Sequence, residues 1–412
     1  MKVILFNKTY VISLIADLLS NFGDALYSLA LLNYVLLLPD TTLAVSIVSF
    51  SEVVPVVTYL LTGYWSDKTQ NKVYGILGSQ LLRTLLYIIL GFAMSFTPQL
   101  WIVVLASIIN IFSDISGQYE SGLFIPLSLK MVKDTDRQNA IALRQGVSLS
   151  FSAFYQPIGA LLIGVFSYSL LADLNAGTFF LSFLMMLTIT PMLMKLPINK
   201  LYHRSSQGRS FFKDIYYGVK EAIAEIYHIE ELKLALLVVP IINGLFAVLS
   251  ILVVLFLDND PHFMLKSTSF TIAIVNMVYI VGNIVGSFCV MSLFKKTSMI
   301  KILKLGTVVL SGVFLGFLLH QIYLVIFAMF LGGILIGAGN PKYNTLVYSV
   351  ISEDKIALVS GGLLSYFQLS MFVVRGIISF LVLVVTPQWI TIVLFVISLI
   401  LIGITFKNAK LI

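Results

Sequence analysis

Twelve apolar stretches follow one another along this chain, and their length limits what it can fold into. An α-helix rises about 1.5 Å per residue, so about 20 apolar residues cross a hydrocarbon core about 30 Å thick. The predicted spans are 10–38, 42–64, 73–95, 99–124, 141–165, 176–195, 233–257, 267–291, 302–319, 322–345, 357–383 and 389–406. We therefore predict an all-α membrane protein with twelve transmembrane helices.

The composition indicates that lipid, and not water, is the solvent of most of the chain. Of the 412 residues, 59% are hydrophobic and 11% are charged, whereas a soluble domain has about 25% charged residues. The single cysteine, Cys289, excludes disulfides within the chain. The sequence contains no nucleophile–base pair, no metal-ligand cluster and no Walker motif. We therefore predict no enzyme activity, no metal and no cofactor, and any transport must draw on an ion gradient.

The basic residues predict which side of the membrane each end of the chain faces. If the N-terminus is cytoplasmic, 22 of the 26 Lys and Arg residues fall in cytoplasmic segments and only Lys266 falls outside. The other three, Arg83, Arg144 and Arg375, lie within predicted spans. Because positive residues accumulate on the cytoplasmic side, both termini are predicted to be cytoplasmic. The same placement of the net charge of +7 argues against a nucleic-acid-binding protein.

The two halves of the chain are related by a shift of 215 residues. The shift aligns Pro126 with Pro341 and Gly146 with Gly361, all in or beside the connections of spans four–five and ten–eleven. A parallel repeat of six plus six spans is typical of one large class of transporters. The repeat therefore predicts two six-helix bundles.

The polar segment 196–232 is the predicted boundary between these bundles, which cover residues 1–195 and 233–412. It is predicted to be a cytoplasmic linker that contains an amphipathic helix at the membrane surface. The apolar face of this helix consists of Phe212, Ile215, Val219, Ile223 and Ile226.

The loop after the second span carries a motif. It reads Gly63-Tyr64-Trp65-Ser66-Asp67-Lys68-Thr69-Gln70-Asn71-Lys72 and is similar to the G-x-L-(A/S)-D-(R/K)-x-G-(R/K)-(R/K) signature of the major facilitator superfamily. The matching positions are Gly63, Asp67, Lys68 and Lys72, whereas the second glycine and one basic residue of the signature are missing. Span five carries a degraded form of the G-P-x-x-G-G antiporter motif, with the residues Gln156, Pro157 and Gly159.

This resemblance implies a conformational role for Asp67. It places Asp67 against the start of span eleven, near residues 357–361, where the positive end of a helix suits a carboxylate. Release of that contact would then free the two bundles to rock. The alternative is an ordinary solvated aspartate in a loop.

Three further patterns resemble the macrolide-efflux branch of drug:proton antiporters. They are Asp136-Arg137-Gln138-Asn139-Ala140 before span five, Gly23-Asp24 in span one, and Phe212-Lys213-Asp214 with Gly218 leading into residues 234–237. The resemblance implies the major facilitator fold, with spans one, four, seven and ten around a central cavity. It further implies a monomer in a bacterial cytoplasmic membrane, whose partners are a small-molecule substrate, protons and membrane lipid.

Ionisable residues within the spans are candidates for the functional site, because a charge in lipid costs several kcal/mol unless it faces a cavity or a partner. In span one, Asp17, Asn21 and Asp24 share one helical face, and in span four Asn110 and Asp114 do so. A low-dielectric cavity favours the protonated form of a carboxyl group, which suits proton coupling. The predicted proton- and substrate-binding residues are Asp24, Asp114, Glu52, Asp17, Asn21, Asn110, Asn243, Phe246 and Arg375.

Purely structural roles remain open for several of these groups. In this alternative, the carboxylates pair with Arg83 or Arg144 and only hold the bundle together. Glu120 and Arg144 are predicted to form a structural ion pair or a gating contact, and Arg83 to be a buried partner. Arg375 either binds an anionic substrate or balances the carboxylates across the two halves.

The leading functional hypothesis is proton-coupled efflux of an amphipathic, drug-like small molecule by alternating access. One alternative is a translocator of lipids or lysolipids. Another is a membrane sensor or immunity protein that binds a peptide and transports nothing.

Overall fold

The computed structural model describes residues 7–39, 41–163, 165–196, 215–217, 220, 223–224, 226–260, 263–266, 268–352, 354–382 and 384–408. Within these ranges the chain forms twelve long α-helices and no strand. In chain order they are α1 Lys8–Val35, α2 Thr41–Lys68, α3 Lys72–Ala93, α4 Leu100–Met131, α5 Arg137–Ile163, α6 Tyr168–Leu193, α7 Glu230–Asn259, α8 Thr268–Cys289, α9 Met299–Leu318, α10 Ile322–Val350, α11 Ile356–Leu381 and α12 Pro387–Asn408. The predicted all-α fold of twelve helices is confirmed.

The lengths and sequences of the helices fit a bilayer. In the described part of the chain, ten of them are long and apolar enough to cross it. The other two, α2 and α5, are 28 and 27 residues long and carry polar residues such as Glu52 and Arg144. Which side the termini face stays a prediction, and most of the predicted amphipathic linker helix lies outside the described residues.

The connection between α9 and α10 has only three residues, 319–321, and its geometry explains how so short a turn suffices. His320 has a φ of 53°, in the left-handed region that ends many helices. Its N–H donates to the Phe317 carbonyl at 3.1 Å, and the N–H of Gln321 donates to the Gly316 carbonyl at 2.9 Å. These two bonds form a Schellman motif, so α9 stops and reverses without a longer loop.

The first compact unit contains the described residues of Met1–Arg137, Ser150–Ala222 and Ile351–Ser365. Within it α1 and α3 pack on α6, and α2 and α3 pack on α4. Its core is rich in aromatic residues. The Tyr27 and Tyr87 rings meet edge to face with centroids 4.8 Å apart, and Tyr87 also contacts Phe179 at 5.5 Å.

The second compact unit contains the described residues of Gln138–Leu149, Ile223–Val350 and Tyr366–Ile412. Within it α10 packs on α8 and α9, and α9 packs on α12. The start of α5 belongs to this unit, where Ala142 is buried with Val290, Ile302 and Ala338. The division of the chain at 196–232 stays a prediction.

Glycines allow α8 and α10 to lie in backbone contact. Gly282 and Gly286 are four residues apart on α8, and Gly333 and Gly337 are four apart on α10, so each pair lies on one helical face. A methyl group added to any of the four would clash with a backbone carbonyl oxygen of the other helix. This is the small-xxx-small arrangement that brings membrane helices together.

Candidate functional site

A buried arginine on α3 holds together the centre of the first unit. Arg83 is 4% exposed, and its guanidinium donates to three side chains on two other helices. Nη2 lies 2.5 Å from Asp24 Oδ2, Nη1 lies 3.0 Å from Ser20 Oγ and Nε lies 3.1 Å from Ser113 Oγ. Ser20 and Asp24 are one turn apart on α1, so they meet the guanidinium together.

A second carboxylate lies beside the same arginine. Glu120 Oε2 on α4 is 3.9 Å from Arg83 Nη1, and Glu120 Oε1 accepts from Gln80 Nε2 at 2.7 Å. On another side, the ring centre of Phe179 lies 3.9 Å from Arg83 Cζ, a distance that allows cation–π attraction. Gly117 faces the guanidinium, since a Cβ there would lie in van der Waals contact with Arg83 Cζ, at 3.4 Å.

The charges of this cluster do not balance. Arg83 supplies one positive charge to the two carboxylates of Asp24 and Glu120, so the ionised cluster has a net charge of −1. A net charge is costly in a low-dielectric interior, and one bound proton removes it. The Arg83 side chain is 5% exposed, whereas those of Asp24 and Glu120 are 32% and 18% exposed. The Asp24 and Glu120 side chains are therefore more accessible than that of Arg83, although Glu120 Oε2 itself is buried.

A second chain of polar contacts runs beside the cluster. The Tyr87 hydroxyl donates to Asn110 Oδ1 at 3.1 Å, and Asn110 Nδ2 donates to Asp114 Oδ2 at 3.4 Å. Tyr87 shares the contact with Phe179 described above, so both sets of polar groups pack against the same aromatic core.

The loop motif after α2 meets the start of α11. The N–H groups of Ala357 and Leu358 donate to the two carboxylate oxygens of Asp67 at 3.0 and 2.6 Å. The first N–H groups of a helix have no partner within it, so the buried Asp67 supplies the missing acceptors. Gly63, one turn earlier, allows the close approach, because a Cβ there would clash with the Ala357 carbonyl.

The basic residues of the motif also have defined places. Lys72 is buried and its Nζ donates to the Ser66 carbonyl at 2.8 Å. Lys68 Nζ lies 5.5 Å from the centre of the Tyr64 ring. In the fifth-span motif Gly159 lies against α1, where its Cβ would be 2.7 Å from Leu29 Cδ1. The side chains of Gln156 and Pro157 lie outside the described residues.

Comparison with known proteins identifies the family. Residues 3–374 match the sequence model of the Major Facilitator Superfamily. The chain belongs to this superfamily. The resemblance drawn from the loop motif is thereby confirmed at the level of the superfamily, and the chain is a multi-pass membrane protein with a transporter fold. A search of curated proteins gave no match.

Solved structures of major facilitator proteins share this fold. A bacterial homologue of the iron transporter ferroportin, in an outward-facing state, matches with a TM-score of 0.71 at 13% identity, over 98% of this chain and 99% of that one. The E. coli fucose:proton symporter FucP matches with a TM-score of 0.63 at 13% identity, over 98% and 99%. The proton:xylose symporter XylE, bound to 6-bromo-6-deoxy-D-glucose, matches with 0.61 at 12% identity, over 98% and 96%.

Within this major facilitator protein, the predicted site residues fall into separate groups. Asp24, Arg83 and Glu120 come together, and Asn110 and Asp114 form the neighbouring contact described above. Asp17 and Asn21 lie on α1 towards its N-terminus, while the side chain of Glu52 lies outside the described residues. The Glu120–Arg144 pairing stays a prediction. In the second unit, Phe246 and Arg375 line one cavity and Asn243 is not part of its lining.

Several members of the Arg83 cluster were not predicted from the sequence. Ser20, Gln80, Ser113 and Phe179 are neither charged nor part of a motif, although the spacing of four between Ser20 and Asp24 was a usable signal. The helix α6 also begins at Tyr168, eight residues before the predicted start of span six. It therefore includes one more carboxylate, Asp173, which the predicted span had left out.

Replacing Asp67 with alanine should destabilise the first turn of α11. Two helix N–H groups would lose their acceptor, and loss of an N-terminal cap costs about 0.5–2 kcal/mol. Hydrogen exchange at the amides of Ala357 and Leu358 should therefore accelerate. Asp134→Ala is a suitable control, because the Asp134 side chain is 84% exposed. Equal exchange rates at these two amides in both variants would contradict the proposed cap.

Proposed function

We propose that this protein exports amphipathic small molecules in exchange for protons, and that the Asp24–Arg83–Glu120 cluster is the proton site. The observation behind this proposal is the single cation, Arg83, that is shared by two carboxylates. Proton binding changes the net charge of the cluster from −1 to zero. A group whose charge changes in this way can couple the direction of access to proton uptake and release.

Two further observations support proton coupling. The protein belongs to the Major Facilitator Superfamily, and the fold is shared with FucP and XylE, which are proton symporters. The direction of transport rests on the motifs that resemble the macrolide-efflux branch. We further propose a monomer in a bacterial cytoplasmic membrane with both termini in the cytoplasm, and alternating access in which the Asp67 contact with α11 opens and closes.

The test is proton movement in inverted membrane vesicles, followed with a pH-sensitive dye. The probes are a macrolide, ethidium and decanoate, so that the charge of the substrate is not assumed. In the wild type at least one probe should release protons from acid-filled vesicles. Asp24→Asn and Glu120→Gln should each lower this coupled proton flux at least tenfold. In either variant the cluster has only one carboxylate left and can no longer change its net charge between −1 and zero.

Asp173→Asn is the matched control, since it removes a carboxylate from a spanning helix of the same unit outside the cluster. It should leave coupling unchanged. Full coupling in both cluster variants would overturn the proton site. Binding of a ligand without flux of any probe, in the wild type, would instead favour the peptide-binding sensor.

A further inference from the structure

We infer that a cavity in the second unit binds the anionic head and the apolar tail of an amphiphile. The cavity is partly open, has a volume of about 320 Å³ and is lined by α7, α8, α10 and α11, a size within the usual range for small-molecule sites. This inference rests on the proposed export function, for which it names the substrate class. Its lining includes Phe246, Asn276, Tyr279, Met329, Met371 and Arg375.

The polar part of this lining suits an anion. Arg375 is the only charged residue in its described lining. Among the described residues, the Arg375 guanidinium has no ion pair and no hydrogen bond. A guanidinium within a membrane helix needs a counter-charge, and its planar fork fits the oxygens of a carboxylate or a phosphate. The amide of Asn276 lies in the same lining and can donate a further hydrogen bond.

The rest of the cavity fits an apolar chain. Phe246 and Tyr279 form an aromatic wall, with ring centroids 5.8 Å apart. Met329 and Met371 add flexible thioether side chains, which adapt to ligands of irregular shape. An anion with no apolar part would leave this surface in contact with water, so the lining favours an amphiphile over a small hydrophilic anion.

The cavity lies at one level of the membrane. Its lining comes from residues 246–253 of α7, 272–279 of α8, 329 of α10 and 371–375 of α11. Because α7 and α11 run opposite to α8 and α10, these segments share the half of the bilayer away from the start of α7. The head of an amphiphile would therefore bind about six residues from the end of α11, roughly 9 Å along the helix.

With this cavity, the acidic and the basic residues of the membrane helices have separate roles. The carboxylates of Asp24 and Glu120 would carry the proton, and Arg375 would select the substrate. A cationic substrate is then disfavoured, because a cation in this cavity would be repelled by Arg375. The head group could belong to a membrane lipid or to a free single-chain amphiphile, and the experiment separates these two sources.

Binding is measured on the purified protein in phosphatidylcholine nanodiscs, with empty nanodiscs subtracted. The ligands share one chain length and differ in charge: decanoate, decyl phosphate, decanol and decyltrimethylammonium. The wild type should bind the two anions most tightly. Arg375→Gln should weaken anion binding at least tenfold without changing decanol binding, and Arg375→Lys should retain part of it.

Lys266→Gln is the matched control, because it removes the same charge from an exposed residue of the same unit outside the cavity. It should bind all four ligands as the wild type does. Equal anion affinity in wild type and Arg375→Gln, or tighter binding of decyltrimethylammonium than of decanoate, would overturn the inference. If phosphatidylglycerol added to the nanodiscs competes with the two anions, the site is assigned to a lipid head group. If it does not compete, the site is assigned to a free amphiphile.

This assay needs no proton gradient and no flux, so it separates the two proposals. Anion binding that depends on Arg375 together with no coupled flux would overturn proton-driven export and keep the site. Coupled flux together with anion binding that does not depend on Arg375 would overturn the anion site and keep proton-driven export.

Discussion

Replacing Arg83 with methionine is expected to destabilise the protein strongly and to abolish proton coupling. The substitution leaves the side chains of Asp24 and Glu120 close together without their cation. Removing one partner from a buried ion pair typically costs about 3–5 kcal/mol, because the remaining charge stays out of water. Methionine has a similar length to the aliphatic part of arginine, so the loss is mainly electrostatic.

The same reasoning predicts a rescue. The triple variant Arg83→Met, Asp24→Asn, Glu120→Gln has no buried charge in the cluster, so its stability should return most of the way to the wild type. Replacement of a complete buried ion pair by neutral residues is often neutral or stabilising. Proton coupling should stay absent in the triple variant, because no group in the cluster can then change its charge.

Unfolding midpoints in a mild detergent and proton flux in vesicles measure the two effects separately. Arg137→Met serves as the control for stability. Arg137 pairs with Asp134 at 2.8 Å, but the Asp134 side chain is 84% exposed, and ion pairs that water reaches contribute about 0–1 kcal/mol. If Arg83→Met unfolds no more easily than Arg137→Met, the cluster is not the electrostatic centre of the first unit. If the triple variant still couples protons, the proton site lies elsewhere.

The fold was largely predictable because hydropathy reports directly on the membrane. Every predicted span corresponds to one helix, including the pair separated only by His320 and Gln321. The largest error was at the start of α6. There Ser167 caps the helix by accepting from the Leu170 N–H at 3.2 Å, so polar residues such as Asp173 enter the first turns. Hydropathy alone places such a boundary too late.

The members of the candidate site were only partly predictable. Helical periodicity placed Asp24 and Asp114 on polar faces, because that depends on spacing within one helix. It did not show that Asp24 would share Arg83 with Glu120, since that depends on which faces of α1, α3 and α4 meet. Ser20 and Ser113 accept hydrogen bonds from two nitrogens of the guanidinium, and serines are too frequent in membrane helices to stand out.

The loop motif was informative for a different reason. Asp67 and Gly63 act through backbone groups of α11, namely the N–H groups of Ala357 and Leu358 and the Ala357 carbonyl. A backbone partner requires no particular side chain on α11, so nothing in the sequence near Ala357 indicates the contact. Only the resemblance to a known motif could place it.

The contact between α8 and α10 should be the most sensitive packing site of the second unit. Gly286→Ala and Gly333→Ala each place a methyl group against a backbone carbonyl, of Ile334 and Tyr279 respectively. A backbone atom cannot rotate away as a side chain does, so the two helices must separate. Overpacking typically costs about 1–3 kcal/mol, and separation would also loosen the contacts of Gly282 and Gly337.

In the matched controls, a Gly→Ala substitution should not lower the stability. Gly306 on α9 and Gly403 on α12 belong to the same unit, and a Cβ at either position meets no atom within 4 Å. Alanine is favoured over glycine within a helix by about 0.5–1 kcal/mol, so Gly306→Ala and Gly403→Ala should leave the unfolding midpoint unchanged or raise it. Gly286→Ala and Gly333→Ala should lower it, because the backbone clash exceeds the gain in helix propensity. Equal midpoints in all four variants would show that α8 and α10 do not depend on backbone contact. If the midpoint falls in Gly286→Ala and Gly333→Ala but not in the two controls, these two glycines are required for contact with the neighbouring helix. Their own helices would not require them, because alanine is favoured over glycine within a helix.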